Sequence, residues 1–201
     1  SNIPEPSDRF GHQRAIENCL IHLCRATLGR TLVLFTSYSQ LKSTSSAIAP
    51  ALADYGILVY EQGEGASPHT LLESFKTAER AVLLGTRSFW EGVDVPGEAL
   101  SVLVIAKLPF DVPSDPIFAA RSETFEDPFH HYAVPEAVLR FRQGFGRLIR
   151  SGTDRGVAVI LDRRVLTKRY GQIFLTSLPQ CTKRTGLLQD LPAETVKWLN
   201  L

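Results

Sequence analysis

The sequence predicts an α/β fold, a three-layer sandwich around a mainly parallel central sheet. Three observations predict it. Short apolar runs of strand length recur at residues 31–36, 57–60, 81–85, 100–108 and 157–161. Stretches with helical spacing of apolar residues separate most of them. The runs TLVLFT and AVLLG are continuously apolar rather than alternating. Both faces of the sheet are then covered, which is the signature of a parallel sheet between helical layers.

Each element follows from local chemistry. Residues 1–7, with Pro4 and Pro6, read as a flexible opening. Residues 8–28 carry Ile16, Leu20, Leu23 and Leu28 near helical spacing, and Gly29 closes that helix. Residues 31–36 form a buried strand, 38–55 a helix stopped by Gly56, and 57–60 a second strand. Gly63, Gly65, Ser67 and Pro68 mark a loop before a helix at 69–79. Residues 81–85 and 100–108 are further strands. The stretch from 109 to 135, rich in Pro and aromatic residues, is an irregular and partly helical excursion. A helix over 134–150 starts with Pro135 in its first turn. Residues 157–161 form the last strand, and 194–199 a short helix. The chain therefore divides into an opening segment and helix (1–30), a main α/β domain (31–178) and a C-terminal extension packed on it (179–201).

The chain has 201 residues, enough for one domain with a full core. Hydrophobic residues at 44% and charged residues at 21% exclude a disordered chain. No apolar run approaches the roughly 18 residues of a membrane span, and no leader-like pattern opens the sequence. Cys19, Cys24 and Cys181 are too few for the usual four ligands of a zinc or iron–sulfur site, so they read as core or surface thiols in a reducing compartment. His130 and His131 are adjacent, and adjacent side chains rarely converge on one ion. No metal site is expected. Net charge is only +1, but residues 140–169 hold nine basic residues against Asp154 and Asp162. That segment is either a phosphate-binding patch or a solvated helix face.

The most informative stretch is QGFGRLIR, residues 143–150. If the helix runs through it, Gln143, Arg147 and Arg150 share one face at i, i+4 and i+7. Gly144 and Gly146 would let another backbone or a ligand approach closely, at a cost of about 1 kcal/mol each relative to Ala. Two guanidiniums beside an amide suit a multiply charged anion, because Arg stays charged and can bind phosphate oxygens in pairs. Salt bridges to a partner surface remain the alternative. Other candidates sit after strands, where ligands bind in open α/β sheets. Thr36, Ser37 and Tyr38 end the first strand; their hydroxyls either hold a phosphate or cap the next helix. Thr86 and Arg87 follow the strand at 81–85 and are candidate phosphate contacts, with Lys107 a further one. Trp90 is either a base-stacking platform or a core aromatic. Glu91 and Asp94 are three apart on a turn and are either site residues or local cap and salt-bridge partners. Gly92 allows a tight turn.

Four stretches together resemble one family. QGFGRLIR matches the QxxGRxxR form of helicase motif VI. GTRSFWEGVDVPG (85–97) is similar to motif V of the DinG/XPD branch of superfamily 2 helicases, and VLFTSYSQL (33–41) to its motif IV. KLPFDVPSDP (107–116) resembles the segment that follows motif V. They occur in family order and span about residues 31–175. The resemblance implies a RecA-like second motor domain of a DNA helicase, with 5′→3′ movement on single-stranded DNA and a role in DNA repair. It implies that ATP and Mg²⁺ are held between this domain and an N-terminal P-loop domain. Arg147 and Arg150 would face the γ-phosphate, Arg150 as the arginine finger, with Gln143 orienting the site. Asp94, Glu91, Gly92 and Gly146 would line the nucleotide side. Thr36, Ser37, Tyr38, Thr86, Arg87 and Trp90 would line the DNA side. The protein is then cytoplasmic, and nucleoid-associated if bacterial.

The sequence holds no Gly-Lys pair for a P-loop and no Asp-Glu pair for the acidic Mg²⁺ motif. Alone, the chain is expected to be inactive. The cysteines of any iron–sulfur cluster would also belong to the other half. Two further readings stay open: a non-catalytic nucleic-acid-binding module, and a regulator whose arginines act on a separate ATPase.

Overall fold

A computed structural model describes residues 2–63, 65–91, 100–112, 115–148 and 155–201. Five strands, β1 (Thr31–Leu34), β2 (Leu58–Glu61), β3 (Ala81–Gly85), β4 (Val102–Ile105) and β5 (Val157–Ile160), form one sheet in the order β2-β3-β1-β4-β5. Every pairing is parallel, with Leu32 opposite Leu83 on one side and Leu103 on the other. Helices α1 (Arg9–Ala26) and α2 (Tyr38–Ala53) cover one face. On the other lie α3 (Pro68–Thr77), α4 (Arg87–Glu91), α6 (Val134–Phe145), α7 (Arg164–Thr167) and α8 (Gly171–Ser177). Alternate strand residues feed the two cores: Leu32 and Leu34 join one, Val33 and Phe35 the other. The excursion contains α5 (Pro116–Ser122), capped by Asp115, and a π-helical turn, Phe129–Ala133. Helix α9 (Leu191–Leu199), preceded by a 3₁₀ turn, rests on α1 and β5. Among the described residues, no helix is long and apolar enough to cross a membrane.

Helix α1 begins with the Asp8 side chain accepting from the Gly11 N–H at 2.9 Å. It ends at Gly29, whose N–H donates to the Cys24 carbonyl at 2.8 Å with φ +83°. A Cβ there would stand 2.6 Å from Ala81 N, so only glycine fits. This turn delivers the chain into β1.

Three expectations need correction. The opening segment is not loose. Ile3 is buried, Glu5 O accepts from Asp8 N, and Asn2 Oδ1 accepts from Leu188 N at 3.0 Å, so the first residues are packed against the C-terminal extension. The strands are shorter than the apolar runs: Phe35 and Ala106 stay buried past the strand ends while the chain turns. The helix expected over 134–150 stops at Phe145. Gly146 N–H still reaches the Arg142 carbonyl at 2.9 Å, but Arg147 and Leu148 then make i→i−3 bonds to Gly144 and Phe145. The last turn tightens, as helix ends commonly do. Arg147 therefore lies beyond the helix, so Gln143 and Arg147 do not share one continuous helical face, and Arg150 lies outside the described residues.

Candidate functional site

The carboxyl ends of β1, β3, β4 and β5 form one edge, and most of the sequence candidates gather there. After β1, Thr36 and Tyr38 are exposed and Ser37 is half-buried. Ser37 caps α2, its Oγ accepting from Gln40 N at 3.4 Å and lying 2.7 Å from Ser39 Oγ. After β3, the chain turns closely under Phe89; a Cβ on Gly85 would meet that ring at 2.5 Å. Thr86 then donates both its N–H (2.7 Å) and its hydroxyl (2.9 Å) to Gln62 Oε1. Arg87 is exposed.

Trp90 settles its own alternatives. It is 2% exposed, and its indole N–H donates to the Phe35 carbonyl at 3.0 Å. The ring packs over Gly144, where a Cβ would come within 2.8 Å of it. Trp90 is thus a core residue, and the base-stacking role is withdrawn, because a buried, hydrogen-bonded indole has no free face to offer. Gly144 is small to admit this ring. The Trp90 carbonyl accepts from Arg147 Nη2 at 3.1 Å. One tryptophan therefore ties together the end of β1, the segment after β3 and the turn after α6.

Gln143 and Gly146 are exposed at the same end of α6, and a Cβ on Gly146 would meet nothing closer than the Arg142 carbonyl at 3.4 Å. Glu91 is the last residue of α4. Gly92, Asp94 and Arg150 lie outside the described residues.

Beyond β4 and β5 the edge is closed by a network the sequence reading missed. Asp162 is 1% exposed. It accepts from Leu108 N (2.9 Å), Arg164 N (3.0 Å) and the Arg164 guanidinium (2.6 Å at Nη2). Burial works against the Arg164 charge, but the Asp162 hydrogen bond and the Asp162 charge, with smaller help from Tyr170 and Glu5, together outweigh it and the pKa rises. The guanidinium also sits 5.6 Å from the Phe110 ring centre. Burial, then the Arg164 charge, lowers the Lys107 ammonium below its ordinary value. His12 is fully buried, with Nε2 2.8 Å from the Leu161 carbonyl. Burial holds its pKa low, against the hydrogen bond, which favours the charged form. A signal for His12 existed, since it continues the Ile16 and Leu20 stripe at i−4. No local pattern reveals Gln62 as the partner of Thr86.

Among the described residues, no three His, Cys, Asp or Glu side chains gather as metal ligands. His130 Nδ1 pairs with Asp127 at 2.8 Å. Cys19 and Cys24 are buried, and burial pushes each thiol up to about 12, which makes them inert. Cys181 is exposed.

A five-stranded parallel sheet between helical layers, with polar loops gathered at the strand ends, defines a RecA-like α/β domain. Solved structures agree on the fold. The apo form of XPD superposes with a TM-score of 0.56 at 20% identity, over 84% of this chain and 36% of that one. S. cerevisiae Dbp5 bound to RNA and ADP BeF3 gives 0.53 at 17% identity, over 91% and 42%. Residues 20–181 match the helicase C-terminal domain family, and the chain belongs to it. It is 46% identical over 155 residues to the 3′-5′ exonuclease DinG of Bacillus subtilis, covering 75% of this chain and 17% of that protein. It is 43% identical over 177 residues to the ATP-dependent DNA helicase YoaA of Haemophilus influenzae (84% and 26%), and 40% identical to its Escherichia coli namesake (89% and 28%). The chain thus spans between a sixth and somewhat over a quarter of these relatives.

Proposed function

We propose that this chain is the second motor domain of an ATP-dependent DNA helicase of superfamily 2, completing an ATP site whose P-loop lies in another domain of the parent protein. One observation carries the reading. The Arg147 side chain, from QGFGRLIR, is anchored on the Trp90 carbonyl, from GTRSFWEGVDVPG, and Trp90 is anchored on the end of β1. Three separated segments with helicase resemblance are one mechanical unit.

In this reading Arg150 is the arginine finger and Arg147 orients it or shares the γ-phosphate, with Gln143 beside them. Asp94, Glu91, Gly92 and Gly146 line the nucleotide side. A finger stabilises charge on the transferring phosphoryl group, an effect worth roughly 10³–10⁵ in rate in GTPases. Mg²⁺ is assigned to the other domain, because this sequence holds no Asp-Glu pair for the acidic Mg²⁺ motif. The exposed Thr36 and Arg87, with Ser37, Tyr38 and Thr86, form part of a single-stranded DNA path. Contacts of that kind hold the backbone without reading sequence. Movement is 5′→3′, the isolated chain hydrolyses no ATP, and the parent works in the cytoplasm, associated with the nucleoid if it is bacterial.

The test is strand displacement by the intact parent with ATP. A duplex with a 5′ single-stranded tail is expected to unwind and one with a 3′ tail to stay paired. Unwinding of the 3′-tailed duplex alone overturns the polarity. Unwinding of neither, with ATP hydrolysis absent, overturns the helicase reading.

A further inference from the structure

We propose a second single-stranded DNA contact, centred on Trp198, at the opposite edge of the sheet from the helicase segments. It rests on the nucleic-acid reading above but uses none of the same residues. A depression of about 260 Å³ is lined by Arg155, Arg184, Glu194, Lys197, Trp198 and Asn200. Arg155 stands just ahead of β5, so the depression lies by the amino end of that strand, whereas Thr36, Thr86 and Lys107 follow the carboxyl ends of theirs. Trp198 is 45% exposed on α9. An indole left in water is unusual for a residue that normally buries most of its surface.

The surrounding charge identifies the occupant. Three cations meet one carboxylate, and Glu194 is already engaged by Arg184 at 2.7 Å. Arg155 and Lys197 are exposed and face the same depression. An open aromatic face flanked by cations is the arrangement that holds single strands: a base stacks on the ring while the adjoining phosphates meet the charges. At this volume the depression is smaller than the roughly 300–1,000 Å³ of pockets that enclose a small ligand. It suits one base of a strand whose remainder stays outside. α9 is seated on α1 and β5 through its other side, with Thr195 buried, so the platform is fixed to the sheet and moves with the motor domain.

The chain carries its own probe. It has two tryptophans, and Trp90 is buried, so a change in emission on adding DNA reports Trp198. Oligothymidylate is titrated at low salt while anisotropy of a labelled oligothymidylate follows total binding. The expected result is quenching that tracks binding. Trp198→Ala then abolishes the quenching and weakens binding about tenfold, the scale of one base stack. Lys197→Glu and Arg155→Glu weaken binding and lower its salt dependence by about one phosphate each. Thermal melts confirm that the variants fold.

Binding seen by anisotropy with unmoved emission and full affinity in Trp198→Ala overturns this proposal and leaves the strand-end reading standing. Quenching that survives while Thr86→Val and Arg87→Ala leave affinity unchanged supports the Trp198 site and counts against the strand-end path. Equal quenching by thymidine monophosphate at the same nucleotide concentration overturns the strand in favour of a free nucleotide. Emission that shifts with protein concentration alone overturns it in favour of a second copy of the chain. No binding by either readout overturns both DNA contacts.

Discussion

At the end of β3, Thr86 rests both its donors on a single carbonyl oxygen of a half-buried Gln62, beside an exposed Arg87. Three strands away from β3, at the end of β5, Asp162 is sealed from water and takes bonds from a backbone N–H across on the β4 side and from a guanidinium. The two ends are the same kind of place in the fold and use polar residues to different ends. A side-chain amide at a solvent-facing turn is readily exchanged for another acceptor. A buried carboxylate with its full set of donors is a fixture, and removing it leaves its partners stranded. One half of the edge is built for exchange, and the other for holding the sheet and the excursion together.

Three changes break or sharpen that contrast. Asp162→Ala has the largest expected effect. It strands the Arg164 guanidinium and the Leu108 N–H, and destabilises the domain by about 3–5 kcal/mol, as broken buried pairs do. Chemical denaturation measures it, and a loss below about 1 kcal/mol contradicts a structural lock. Thr86→Val is expected to cost about 0.5–1.5 kcal/mol of stability, the scale of one hydrogen bond. Its main effect falls on single-strand affinity, down several-fold in the intact parent. Unchanged affinity removes Thr86 from the DNA path.

The smallest effect concerns pH. The His12 pKa is lowered in the folded state, so below about 6.5 the unfolded chain binds the proton more readily. The stability contributed by neutral His12 is complete above that pH. It is lost as pH falls from there toward the lowered folded value. The melting temperature of the wild type is expected to fall more between pH 7 and pH 5 than that of His12→Gln. Parallel profiles contradict the assignment.

Much of the fold was legible because its signals are local. Runs such as TLVLFT and AVLLG need two covered faces, and Gly29 and Gly56 stop helices wherever those helices pack. The site was legible only in its segments. Whether Trp90 meets DNA or core depends on Gly144 and the Phe35 carbonyl, and the bond from Arg147 to Trp90 crosses 57 residues. Asp162 and Leu108 are 54 apart. The helix carrying QGFGRLIR has the right period throughout, so periodicity alone extends it past Phe145. Tight i→i−3 bonds, not a change in pattern, end it. Ile3 was misread because two prolines nearby suggest a loose segment, while its burial depends on packing that no local pattern shows.

The measurement that bears most directly on the central claim is ATP turnover by the intact parent, with and without single-stranded DNA, for the wild type, Arg147→Ala and Arg150→Ala, each shown to be folded. DNA is expected to stimulate the wild type, and either change is expected to abolish turnover while DNA binding persists. A parent that DNA does not stimulate, or variants that both turn over like the wild type, would contradict that claim.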